Sequence, residues 1–179
     1  MADVSSQFSL ERAADRLEIQ HRVYQYCRGV DRLDYATARD AFHPDAFDDH
    51  GYYKGDVDGL LKGIFERHKA VPFSFHLIGN VFIEFSSQDE AMCESYALTW
   101  LDAGKTPEDE EKSMLIANRF VDHFTRREGA WRIAKRTVLP VTATTFSGPP
   151  PIPTKDWTQP TRDMNDPSQL LRKALGLIV

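Results

Sequence analysis

The sequence predicts an α+β fold in which helices come first and an antiparallel sheet follows. Three observations predict it. Apolar residues recur at helical spacing through the first third of the chain, aromatic and β-branched runs take over after Pro72, and short polar turns join those runs.

Leu10, Ala14, Leu17, His21, Tyr24 and Asp31 recur at helical spacing, with Ser9 placed as the N-cap ahead of Glu11 and Arg12. That face begins apolar and ends polar, which is unusual for a helix that only fills a core. Asp34 is placed to cap a second short helix through Ala41, stopped at His43-Pro44 because proline disfavours helical backbone in the residue before it. Phe47 to Tyr53 reads as a short strand. Asp56 then caps a helix through about Lys69, with Leu60, Leu61, Ile64 and Phe65 on its apolar side.

Phe73 to Phe85 is a strand, Ser86 to Asp89 a turn, and Ala91 to Leu101 the partner strand. Asp102 to Glu111 is a polar loop. Ser113 to Arg126 is a long third strand, Glu128-Gly129 a tight turn, and Trp131 to Val141 the fourth strand. Beyond it, Pro149-Pro150-Pro151-Ile152-Pro153 is a stiff extended segment. Asp166-Pro167-Ser168 opens a short helix through about Leu175. The apolar end, Leu175 to Val179, is expected to lie back on its own domain or on a neighbouring subunit. The division is one domain over residues 1–145 and a Pro-rich tail over 146–179.

At 179 residues and 41% hydrophobic content, the chain is long enough for one well-buried core and too short for two ordinary domains. A net charge of −5 leaves no electrostatic footprint for nucleic acid. Two cysteines without a CxxC pair make a disulfide framework and a structural zinc site improbable. No apolar run approaches the ~20 residues that span a bilayer. The first thirty residues lack the apolar stretch of a secretory signal, so a cytoplasmic location is expected. The histidine and acid spacings form neither HExxH nor a facial triad, and no GxGxxG or Walker loop occurs. No metal or other cofactor is expected.

The segment Tyr26-Cys27-Arg28-Gly29-Val30-Asp31 closes the first helix, followed by Phe42-His43-Pro44-Asp45-Ala46, Asp49-His50-Gly51 and Gly55. Later come Asn118-Arg119-Phe120-Val121-Asp122-His123-Phe124 and Glu128-Gly129-Ala130-Trp131-Arg132-Ile133. In this order the motifs resemble the SnoaL-like branch of the nuclear-transport-factor-two-like superfamily, which includes scytalone dehydratase, bile-acid dehydratases and hexachlorocyclohexane dehydrochlorinase. The resemblance runs over roughly residues 10 to 141. It implies a curved antiparallel sheet wrapped around the N-terminal helices as a cone with an apolar cavity. It also implies a homo-oligomer, a trimer. An aspartate ending the first helix and a histidine opening a central strand match Asp31 and His76. A tyrosine five residues before the aspartate matches Tyr26. His50 stands nearest to a water-holding tyrosine of the scytalone enzyme, and Asn118 or its vicinity matches an asparagine of the long strand.

The residues bear on these roles independently. A neutral imidazole titrates near 6.5 and takes a proton near neutral pH, so His76 is the candidate base, with Asp31 to orient it. Asp31 ends a helix, where the macrodipole disfavours an anion by ~0.3–1 kcal/mol, whereas Asp34 is explained by capping. On a regular helix Tyr26 lies about 140° from Asp31 and Tyr24 within about 20°. Helical phase therefore favours Tyr24 and family position favours Tyr26, which is preferred as hydrogen-bond donor or general acid. His50, Asn118, Tyr53 and Arg136 are the candidate substrate-binding residues. Arg136 either faces inward to balance Asp31 or lies on a solvated strand face. His43 reads as turn chemistry.

Together these features imply a cofactor-independent lyase acting on a bulky aromatic or polycyclic substrate. Loss of water is expected, with retro-aldol release of a small aldehyde as a variant. An isomerase or cyclase using the same Asp–His pair is the first alternative. A non-catalytic small subunit or binding module, like those of ring-hydroxylating dioxygenases, is the second.

Overall fold

The computed structural model describes residues 7–105, 111–147 and 156–178. Helix α1 spans Leu10–Asp31, α2 Tyr35–Asp40, α3 Val57–His68 and α4 Pro167–Ala174. The strands are β1 Phe42–Asp49, β2 Lys54–Asp56, β3 Ser74–Phe85, β4 Glu90–Lys105, β5 Glu111–Arg127 and β6 Ala130–Ser147. They form one six-stranded sheet in the order β2-β1-β6-β5-β4-β3. Every pairing is antiparallel except β1 with β6, which is parallel. The curved sheet wraps the N-terminal helices as a cone. The fold class is the one the sequence predicts. No helix among the described residues is long and apolar enough to cross a membrane.

The four helix starts are where the sequence places them. Ser9, Asp34, Asp56 and Asp166 each accept a backbone N–H of the first turn on their side-chain oxygen. Glu128 and Gly129, at φ +53 and +80, make the two-residue turn between β5 and β6, a geometry matched to the twist of a hairpin. Gly29 has a different reason. A Cβ there would fall 2.4 Å from the Ala38 amide nitrogen, so α2 packs flush against the end of α1.

The buried stripe of α1 differs from the predicted one. Asp15, Ile19, Val23, Tyr26, Cys27 and Val30 face the core, whereas Leu10, Leu17 and Tyr24 are exposed. A polar residue inside the true stripe disguised it. Asp15 is buried because it accepts Trp131 Nε1–H at 2.9 Å and pairs with Arg126 at 3.1 Å. The first strand is also displaced: it runs Phe42–Asp49 rather than Phe47 to Tyr53, and a second short strand follows it. His43 is therefore strand, not turn; its ring is buried, with Nε2 2.9 Å from the Thr125 carbonyl.

β4 and β5 extend further into the predicted polar loop than expected, and 106–110 lies outside the described residues. The proline segment also lies outside them. From the tail, Arg162 donates to the carbonyls of Val30, Asp31, His68 and Val71 at 2.7–3.1 Å. One guanidinium thus serves carbonyls at the C-terminal ends of α1 and α3, where helices leave acceptors unpaired and favour a cation.

Candidate active site

The helices and the concave side of the sheet enclose a cavity of about 430 Å³, within the size range of small-molecule sites. Its walls are largely apolar: Val30, Ile64, Leu101, Ile116, Phe120, Val138 and Pro140. Polar groups enter from separate elements. Tyr26 comes from α1, His76 from β3, Thr99 from β4 and Asn118 from β5. His50 and Tyr52 come from the β1–β2 connection, and Arg67 and His68 from the end of α3.

His76 and Asp31 meet. His76 Nδ1 lies 2.7 Å from Asp31 Oδ1, and the His76 backbone N–H donates to Oδ2 at 2.9 Å. Ser74 Oγ donates to Oδ1 at 2.7 Å. Ser74 and His76 are alternate residues of one strand, so both side chains reach the same face. Burial opposes ionisation of Asp31, but hydrogen bonds from His76 and Ser74 outweigh it and hold the carboxyl below its ordinary value. An ionised carboxylate accepts the Nδ1–H, which leaves His76 Nε2 as the ring nitrogen with a free lone pair.

Tyr26 lines the cavity and Tyr24 stays outside, half-exposed. The Tyr26 ring packs edge-on against Phe42 and Phe120 and lies under the Arg136 guanidinium, 4.5 Å from its centroid. Burial pushes the phenol far above its ordinary value, so it is a neutral O–H donor.

His50 lines the cavity with its own carboxylate behind it. His50 Nδ1 is 2.9 Å from Asp48 Oδ1, and Asp48 has no exposed surface. Sequence reasoning did not single out Asp48, although the Asp-x-His spacing, which lets the two side chains meet where β1 ends, was there to find it. Asn118 also lines the cavity.

Two candidates lie elsewhere. Tyr53 turns away from the cavity: its hydroxyl donates to the Asp56 carbonyl at 3.0 Å and sits against Gly55 and Gly59. Its neighbour Tyr52, in the bend between β1 and β2, takes the cavity position. Arg136 neither binds in the cavity nor balances Asp31. It is fully buried beneath the wall and makes two 2.7 Å hydrogen bonds to Asp122. Burial opposes its charge, and the Asp122 carboxylate outweighs that effect.

Three further cavity residues were not foreseen. His68 is pushed down to about 4, by burial first and then by the positive charge of Arg162. Thr99 Oγ1 is buried on the wall and has no hydrogen-bond partner among the described residues. Arg67 Nη2 donates to the Tyr52 hydroxyl at 2.6 Å.

Comparison with known proteins gives the family and the fold. The model of the SnoaL-like domain matches residues 11–137. The structure of LinA aligns with a TM-score of 0.69 at 25% identity, covering 80% of this chain and 97% of that one. A type-3 LinA, a hexachlorocyclohexane dehydrochlorinase from Novosphingobium barchaimii LL02, aligns with a TM-score of 0.67 at 24% identity, over 80% and 98%. A provisionally assigned scytalone dehydratase from Novosphingobium aromaticivorans DSM 12444 aligns at 0.66 and 16% identity, over 78% and 92%. No curated protein matches the chain.

Proposed function

This chain belongs to the SnoaL-like domain family, and from that premise and the geometry of its cavity we propose that it is a cofactor-independent lyase. Its substrate is a bulky aromatic or polycyclic molecule that loses water. The carrying observation is the His76–Asp31 hydrogen bond at 2.7 Å beside a largely apolar cavity. His76 Nε2 removes a C–H proton made acidic by an adjacent carbonyl, and Asp31 stabilises the imidazolium that forms. Tyr26 donates its O–H to the carbonyl oxygen as that oxygen gains negative charge. The freed electron pair forms the C=C bond as the C–O bond breaks, and protonated His50, oriented by Asp48, delivers a proton to the departing oxygen.

Retro-aldol release of a small aldehyde uses the same base on an O–H, and double-bond isomerisation returns the proton to another carbon. The second histidine–carboxylate pair favours elimination, because it supplies a proton where an oxygen leaves. The names of the structural neighbours, a dehydratase and a dehydrochlorinase, support the same reaction type.

The outer face of the sheet supports self-association. Phe75 pairs in register with Trp100 and Leu77 with Leu98, and Phe75, Leu77 and Leu98 are about half-exposed. An apolar patch of this kind marks an interaction surface. We infer a homo-oligomer, a trimer; a monomer mass by light scattering contradicts it.

The test of the reaction uses 3-hydroxyindan-1-one, whose C2–H is acidified by the ketone and whose hydroxyl leaves as water to give indenone. His76→Ala is expected to lower turnover by ~10²–10⁴-fold. Wild-type rates in His76→Ala would remove His76 as the base, and no turnover by the wild type would remove the lyase reading.

A further inference from the structure

Arg67 is the one cavity residue that carries a permanent charge, and nothing described neutralises it. It sits in the last turn of α3, both exposed and lining the cavity, which puts it at the rim. Its polar partner is the neutral Tyr52 hydroxyl at 2.6 Å, and its guanidinium carbon lies 4.7 Å over the Tyr52 ring. Among the described residues it makes no ion pair with a carboxylate. Among the described residues no aspartate or glutamate lines the cavity. The carboxylates that stand behind the cavity, Asp31 and Asp48, are each taken up by a histidine.

The polar content of the cavity is therefore one-sided. Its polar side chains are hydroxyls, imidazoles, an amide and a guanidinium, set in an apolar lining. A guanidinium presents planar paired donors that match a carboxylate and are worth most where water is partly excluded. A neutral substrate leaves that charge without a partner of opposite sign. His68, beside Arg67, reports the local field: after burial, the positive charges of Arg162 and, less strongly, Arg67 hold it down, against the weaker pull of Asp31.

We propose that Arg67 is the anion-recognising group of this cavity, so that the substrate is an apolar aromatic or polycyclic molecule bearing a carboxylate at the end that faces the rim. Tyr52 holds the guanidinium over the opening until the substrate arrives, and its ring forms part of the same wall. The proposal rests on the reading that this cavity binds substrate, but it concerns recognition and not the proton transfer.

The experiment is equilibrium binding of 2-naphthoate and 2-naphthamide, which share size and planarity and differ in charge. In the wild type, naphthoate is expected to bind more tightly than naphthamide by on the order of tenfold to a hundredfold, the worth of one charge-assisted hydrogen-bonded pair. Arg67→Gln is expected to abolish that ratio, and Arg67→Lys to restore part of it. Raising the salt concentration should narrow the ratio, because a rim charge is screened. Equal binding of the two ligands, no binding of naphthoate at millimolar concentration, or a preference that survives Arg67→Gln overturns the proposal. His76→Ala separates the two ideas: loss of turnover with the ratio intact is the expected pattern. A base that proves dispensable while the ratio persists sinks the proton-transfer role of His76 and leaves the recognition standing.

Discussion

Arg136 and Asp122 face each other across the β5–β6 register through two hydrogen bonds of 2.7 Å, and neither side chain has any exposed surface. Asp48, in register with Arg136 on the other side, is equally buried. Three charged groups thus cross three neighbouring strands directly behind the cavity wall. Tyr26 and Phe120, in edge contact with each other, both pack on the guanidinium, their ring centroids 4.5 and 4.4 Å from its carbon.

Removing one partner of that pair should cost far more than removing both. Asp122→Ala leaves a buried guanidinium uncompensated, and the expected loss is about 3–5 kcal/mol of stability by urea denaturation. Combining Asp122→Leu with Arg136→Met should recover a large part of that loss. A single substitution costing under ~1 kcal/mol would mean that the pair is not formed in solution.

Asp31→Asn tests the carboxylate through pH. The folded-state carboxyl is held below its ordinary 3.8, so unfolded chains bind the proton first on acidification. The stabilisation is fully present above about pH 5 and is lost as the pH falls through 3.8 and below. The stability gap between wild type and Asp31→Asn should therefore close on acidification. A gap that stays constant down to about pH 3 contradicts the assignment.

Tyr26→Phe keeps the ring between Phe42 and Phe120 and removes only the donor. The expected result is a fall of ~10²–10³-fold in kcat, as for loss of one oxyanion donor, with KM moving little. Stability should change by no more than about 1 kcal/mol. A variant with full kcat removes Tyr26 from the chemistry.

Arg162→Ala removes the guanidinium that joins the tail to the ends of α1 and α3. Amide hydrogen exchange over residues 156–178 should quicken, and stability should fall by at least about 2 kcal/mol. His68 should titrate at a higher pH than its present value of about 4, though burial still holds it below 6.5. The sign follows from linkage. A histidine buried neutral costs stability as pH drops from about 6.5 to about 4, because unfolded chains are protonated first. That acid-side loss should be smaller in the variant.

Most of the fold was legible because its local signals agree. Caps at Ser9, Asp34, Asp56 and Asp166, the turn at Glu128-Gly129 and the aromatic runs each carry their own chemistry. The α1 face was not legible, because Asp15 is buried by partners 111 and 116 residues away, which no local window contains. Of the site, His76 and Asp31 were found by motif order, and the structure brings them within 2.7 Å. Tyr53 was named and Tyr52 was not, because the stretch read as one strand from Phe47 to Tyr53 is the end of β1 followed by a bend, and only the bend sends Tyr52 into the cavity. Arg136 was misread for another reason. An arginine in a strand looks the same whether its partner is a substrate, Asp31 or Asp122, and only the register separates them.

The parallel pairing of β1 with β6 has a consequence for biosynthesis. It ties residues 42–49 to partners between 133 and 137, so the early strand waits for the late one. The loop carrying His50 and Tyr52 hangs from that early strand. A chain emerging from the ribosome can therefore build α1 to α3 and the β3–β4–β5 meander at once, but it cannot close the pocket until residues 133–137 have been translated. Long-range closure of this kind slows folding, and it makes the nascent N-terminal third the stretch most dependent on protection before release.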